Sequence, residues 1–237
     1  MEISWICVNQ SIEGGFSLEL RRMVFAAMVD LRTNDGRHVL HYSESRWNHG
    51  VLRFSPFGGG LQVSQQGKKV VDALGEVSWL GKGDDALDLR VMVPASLTSE
   101  VIEWFSTADA SLREHAEGAW RELREELMEE TPLLSSLHLE DHLSPLQYMG
   151  RFQTEAWSTN PEADAASPTV YVFETYRATL SEEATKVLEQ QAADQHPPMA
   201  LVKSKNEIQN IVANGGECVN GTPYSVSADV LEMFVHN

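Results

Sequence analysis

The sequence predicts an α/β (α+β) fold, and three observations carry that expectation. A long apolar run, Arg22–Arg32, is joined to His38–Tyr42 by Asn34-Asp35-Gly36, the chemistry of a tight hairpin turn. The stretch Ser111–Thr131 repeats apolar residues at helical spacing. Two further strand candidates, Leu146–Trp157 and Thr169–Leu180, are followed by a helical segment whose apolar face would cover their sheet.

In chain order, Ile3–Val8 reads as a first strand, and Arg22–Arg32 as a buried one paired through the hairpin with His38–Tyr42. Val51–Phe54 then leads into Gly58-Gly59-Gly60, where the missing Cβ atoms allow a tight turn or close approach of the backbone to another group. Leu61–Ala110 has its own pattern: Leu87–Val93 alternates as a strand does, while Leu97, Val101 and Phe105 stack at helical spacing. It therefore reads as a structured insertion, with Trp104 and Phe105 as packing residues. Past the central helix, a linker-like stretch runs to Pro145. The two strand candidates are separated by Ser158–Pro168, whose composition is that of a loop and which carries Glu162 and Asp164. Ser181 caps a helix over Glu182–Ala193, with acids in its first turn. Short helices follow at Asn206–Ala213 and Ser227–Val235, with Asn214-Gly215-Gly216 turning the chain between them. No repeat and no second domain is discernible, so residues 1–237 read as one domain containing the 61–110 insertion.

The central helix carries the chemistry. Ser111 with Glu114 three residues on has the form of a capping box, which starts the helix at Leu112; Thr131 before Pro132 stops it after Glu130. Leu112, Ala116, Ala119, Leu123 and Leu127 fall within a stripe roughly 80° wide that faces the core. Glu122, Glu125, Glu126 and Glu129 crowd one flank of that stripe. Like charges at this spacing repel, so the cluster needs either open water or a compensating cation. A hard divalent ion suits it, since Mg²⁺ takes one or two carboxylates, keeps several waters and bridges to phosphate oxygens. A solvated acidic face is the simpler alternative.

The wording Arg121-Glu122-Leu123-Arg124-Glu125-Glu126, with Gly58-Gly59-Gly60 upstream, resembles the R-E-U-x-E-E heart of the Nudix box. The resemblance implies a Nudix-like α/β/α sandwich with a mixed central sheet, Mg²⁺ or Mn²⁺ as cofactor, and hydrolysis of a pyrophosphate linkage in a nucleoside diphosphate derivative. By position it implies Glu122, Glu125 and Glu126 as metal ligands and catalytic groups, Arg121 as the residue that orients a carboxylate, and Gly58, Gly59 and Gly60 as the substrate-binding loop. In relatives the general base sometimes sits in a later loop, which makes Glu162 and Asp164 candidates. The pair Trp104-Phe105 followed by the box also looks like the Nudix branch encoded beside bacterial cyclic-oligonucleotide synthases in antiphage operons. The departures are specific. Arg113 stands where the box has its first glutamate, with Glu114 one place off, and Met128 replaces the terminal glycine. Gly60 lies 61 positions before Arg121, far beyond the box spacing, and the insertion fills the excess. These departures leave open a nucleotide sensor or adaptor in a bacterial defence system that binds without cleaving.

A net charge of −17 argues against polymeric nucleic acid as partner, because such binding is dominated by cations on phosphate. A small nucleotide carrying its own metal remains compatible. Cys7 and Cys218 form no close pair, and no apolar run is long enough to span a bilayer, so the expectation is a reduced, cytoplasmic protein away from membranes. Nudix-like folds often dimerise, which makes a homodimer possible by resemblance. His138 and His142 lack the glutamate of a zinc-helix motif, and no serine elbow or Cys–His pair supports covalent catalysis.

Overall fold

The computed structural model describes residues 19–42, 52–81, 83–130, 134–157, 168–194, 199–219, 222–227 and 229–235. The strand expected at Ile3–Val8 and the loop acids Glu162 and Asp164 lie outside these described residues.

The chain runs β1 (Leu20–Arg32), β2 (His38–Tyr42), β3 (Leu52–Ser55), α1 (Gln65–Asp72), β4 (Ser78–Trp79), β5 (Arg90–Pro94) and α2 (Thr98–Thr107). It continues through α3 (Ala116–Glu125), a π-helical turn (Glu126–Glu130), α4 (Leu139–His142), β6 (Gln147–Trp157) and β7 (Pro168–Thr179). It closes with α5 (Glu182–Asp194), β8 (Ala200–Lys203), α6 (Lys205–Ala213), β9 (Glu217–Val219), β10 (Thr222–Val226) and α7 (Asp229–Val235). The sheet is mixed, in the order β4-β5-β1-β2-β3-β10-β9, with β7 parallel to β1, β6 antiparallel to β7 and β8 antiparallel to β2.

β1 is the spine. Its parallel register with β7 runs from Arg22↔Thr169 to Arg32↔Thr179, and β5 pairs with its first half, Leu20↔Pro94 to Val24↔Arg90. The segment 61–110 thus contributes an antiparallel neighbour to the central strand. Because strand side chains alternate, Met23, Phe25, Ala27, Val29 and Leu31 enter one core with Phe105, Ala119, Leu123, Leu127 and Leu188. Met28 enters a second core with Leu40, Leu52, Phe54, Ile208, Ile211, Val230 and Met233. Helices therefore cover both faces: α2, α3 and α5 on the first, α6 and α7 on the second. A strand buried on both sides reads as a continuous apolar run, which is how β1 appears in the sequence.

The hairpin forms as its turn chemistry dictates, with Gly36 at φ 87° and Arg32 opposite His38. The start of the central helix differs from the expectation. It begins at Ala116, not Leu112, and His115 in the cap position makes no side-chain capping bond. Ser111 is turned instead to Asp109, whose carboxylate accepts from both its amide and its hydroxyl. Glu114 is drawn away to Arg121 and to the Gln62 amide. The same Ser-x-x-Glu pattern at Ser204 and Glu207 does form a reciprocal capping box, at the start of α6. Among the described residues no helix is long and apolar enough to cross a membrane.

Candidate functional site

The glycine triplet runs alongside β1 as an irregular extra strand. Val29 N–H donates to the Phe57 carbonyl (2.8 Å), Ala27 N–H to the Gly59 carbonyl (2.9 Å), and Leu61 N–H to the Phe25 carbonyl (3.0 Å). The opposite side of the triplet meets α3, which β1 supports through Ala119 and Leu123 in the first core. The closeness to β1 decides the residue type at the first position. Gly58, at φ 136°, could carry no Cβ, which would fall 2.1 Å from the Ala27 carbonyl oxygen.

Each glycine meets one residue of the box. Gly58 N–H donates to Glu126 Oε2 at 2.8 Å. Gly59 leaves room for the Glu122 carboxylate, whose Oε2 would lie 2.0 Å from a Cβ there. The Gly60 carbonyl accepts from Arg121 Nη2 at 2.9 Å. Glu125, the most exposed of the three acids, reaches Arg121 Nη1 at 3.5 Å. These seven residues, three before and four after the segment 61–110, are brought to one place.

Arg121 is the hub. Beyond Gly60 and Glu125, it donates through Nη1 to Glu122 Oε1 at 2.7 Å, and through Nε and Nη2 to the two oxygens of Glu114 at 3.2 and 3.0 Å. Glu114 in turn accepts from the Gln62 amide at 2.9 Å, tying the helix to the chain just past the glycines. So the glutamate one place off the box position is the one that engages Arg121. The residue in the box position, Arg113, points the other way into the core. Its guanidinium lies over the Phe105 ring, 3.8 Å from the centroid, and pairs with buried Glu174 at 2.7 and 3.3 Å. Tyr176 O–H also donates to Glu174, at 3.0 Å.

The sequence did not single out His41. It is buried on β2, with Nε2 3.0 Å from Glu126 Oε1 and its ring stacked on Phe57 at 4.8 Å. Strand alternation was the available signal, since Val39 and His41 must share the face that α3 covers.

The electrostatics are those of a site short of positive charge. Burial pushes the Glu122 carboxyl up; Arg121 opposes it, while Glu126 and Glu125 push the same way as burial, and the group settles at about 7. Glu126 is more deeply buried than Glu122, at 7 % exposure. Among the described residues no three His, Cys, Asp or Glu side chains close around one point as a cage. An open site is what a divalent ion that binds phosphate requires, with one or two carboxylates and the remaining positions left to water and substrate. One buried carboxylate, a second mostly buried, a half-exposed third and a single arginine fit that donor set.

Residues 21–222, which span the spine strand, the glycine loop, the box helix and the β6–β7 pair, match the family model described as SMODS-associated NUDIX domain. No curated protein and no solved structure matches the chain. With the mixed sheet, the helices on both faces and the box docked on its glycine loop, that match places the chain in the SMODS-associated NUDIX domain family.

Proposed function

We propose that this protein is a Mg²⁺- or Mn²⁺-dependent hydrolase that cleaves the pyrophosphate linkage of a nucleoside diphosphate derivative, releasing a nucleoside monophosphate and a phosphorylated remainder. The observation that carries this reading is the one-to-one docking of Gly58, Gly59 and Gly60 on Glu126, Glu122 and Arg121. It sets one buried and one mostly buried carboxylate beside a backbone stripped of side chains, the arrangement that lets a diphosphate come close. Glu122, Glu125 and Glu126 would hold the ion, which supplies charge against the diphosphate and lowers the pKa of bound water. Arg121 fixes the orientation of Glu122 and anchors the helix to Gly60. The proton leaves to a carboxylate, either on the box helix or in the loop that carries Glu162 and Asp164.

A second reading, a nucleotide sensor in a bacterial defence system, is favoured by one observation. The Gly58 amide, a natural donor to a phosphate, is already spent on Glu126. A mass-spectrometric screen with Mn²⁺ against nucleotide sugars, dinucleotides, nucleoside triphosphates and cyclic oligonucleotides separates the two. Release of a nucleoside monophosphate supports the hydrolase. Tight calorimetric binding with the ligand recovered intact supports the sensor, and neither binding nor turnover removes both.

A further inference from the structure

A cleft of about 410 Å³ opens on the face of the sheet opposite the box helix, between the β1–β2 hairpin, the end of β7, the start of α6 and Phe234 of α7. Its lining includes Arg32, Arg37, Arg177 and Lys205. A chain with 18 basic residues against 35 acidic ones has no general reason to gather four of its cations in one concavity.

The cations are held by a buried post. Asp30, 2 % exposed, lies at the floor of the cluster: its Oδ1 meets His38 Nδ1 at 2.6 Å, and its Oδ2 accepts from Arg32 Nε at 3.0 Å, Arg32 Nη2 at 2.8 Å and Arg177 Nε at 3.1 Å. One carboxylate therefore serves two guanidiniums and an imidazole. A guanidinium has five N–H groups, and the Nη groups of Arg177 make no hydrogen bond to another described residue. Among the described residues, Lys205 Nζ has only the Phe234 carbonyl, at 3.3 Å, and the Phe234 ring, at 5.1 Å. Arg37 is different: it is spent on Asp35 and Glu189 and closes the rim. What remains facing the cleft is positive charge with unused donors, next to an aromatic ring.

We infer that this cleft is a second small-molecule site, distinct from the box, that takes a phosphate-bearing ligand of mononucleotide size. The donors left over, Nη1 of Arg32 and the Nη groups of Arg177, suit phosphoryl oxygens, and Lys205 at the start of α6 adds a point charge. The edge of Phe234, packed 4.6 Å from the His38 ring, lines the cleft where an organic portion would lie. The volume falls within the range of small-ligand pockets. Alternation along β1 links the two sites: Ala27 and Val29 support the box helix, while Arg32 lines the cleft and Asp30 is buried beneath it.

Calorimetry in EDTA, with inorganic phosphate and adenosine 5′-monophosphate as separate probes, tests the inference without calling on any divalent ion at the box. Saturable binding is expected, weakened about tenfold or more by Lys205→Glu and more mildly by Lys205→Ala, and unchanged in Glu122→Gln. Lys205 makes no ion pair with a described carboxylate, so the fold tolerates both substitutions, and thermal unfolding checks this. Phosphate binding as well as the monophosphate marks a phosphate subsite; monophosphate alone marks a site that also needs the organic part. Absence of saturable binding by either probe overturns the inference. So does binding that Lys205→Glu leaves unchanged, or that Glu122→Gln abolishes.

Discussion

Gly59 and Glu122 share one space: a Cβ on Gly59 would come 2.0 Å from Glu122 Oε2 and 2.4 Å from its carboxyl carbon. The glycine is thus fitted to the glutamate, although 62 residues separate them in sequence, and the pair predicts a clean separation of effects. In Gly59→Ala the colliding atom is the end of a flexible side chain, so the fold adjusts while Glu122 is displaced. Mn²⁺ affinity should fall about tenfold or more with little change in Tm. In Gly58→Ala the collision is with the Ala27 backbone at a left-handed φ, and stability should fall by about 2 kcal/mol or more. Metal titration and thermal unfolding of the two variants check the contrast.

Arg113 and Glu174 form a buried pair whose partners lie 61 residues apart and match no local pattern. Removing one partner strands the other charge away from water. Glu174→Ala should cost roughly 3 kcal/mol or more in denaturant unfolding, whereas Tyr176→Phe, which deletes a single hydrogen bond to Glu174, should cost about 1 kcal/mol.

Acid stability should report Asp30. Burial pushes its carboxyl up, but the bonds and charges of His38 and Arg32 outweigh burial and hold it at about 2. The unfolded chain binds that proton more readily, so the stabilisation, roughly 2 kcal/mol, is full above about pH 4 and is lost as pH falls towards 2. Unfolding free energies of the wild type and Asp30→Asn, measured from neutral pH downward, should converge across that window.

Much of the frame was legible because it rests on local chemistry. Asn34-Asp35-Gly36 dictates the hairpin, and Leu146–Trp157 and Thr169–Leu180 appear as β6 and β7 to within one residue at either end. The box residues were legible as a pattern on one helix edge. What escaped is what depends on distant partners. Ser111 and Glu114 have the form of a capping box, yet Asp109 takes the serine and Arg121 takes the glutamate, so the helix starts a turn late. Ser204 and Glu207 face no such competition and cap α6. The strand Ala200–Lys203 is short and lies beside two prolines; its register with His38–His41 follows from the sheet, not from its own composition. His41 was invisible because its meaning comes from Glu126, 85 residues away in sequence.

On the proposed function, the acidic edge of the box helix, docked on the glycine loop, grips a divalent ion. Mn²⁺ binding followed by electron paramagnetic resonance, on the wild type and on Glu122→Gln/Glu126→Gln, tests it most directly. A site is expected in the wild type whose affinity falls about a hundredfold or more in the double variant, while thermal unfolding stays cooperative. Equal Mn²⁺ affinity in the two proteins, or no site in the wild type, would contradict it.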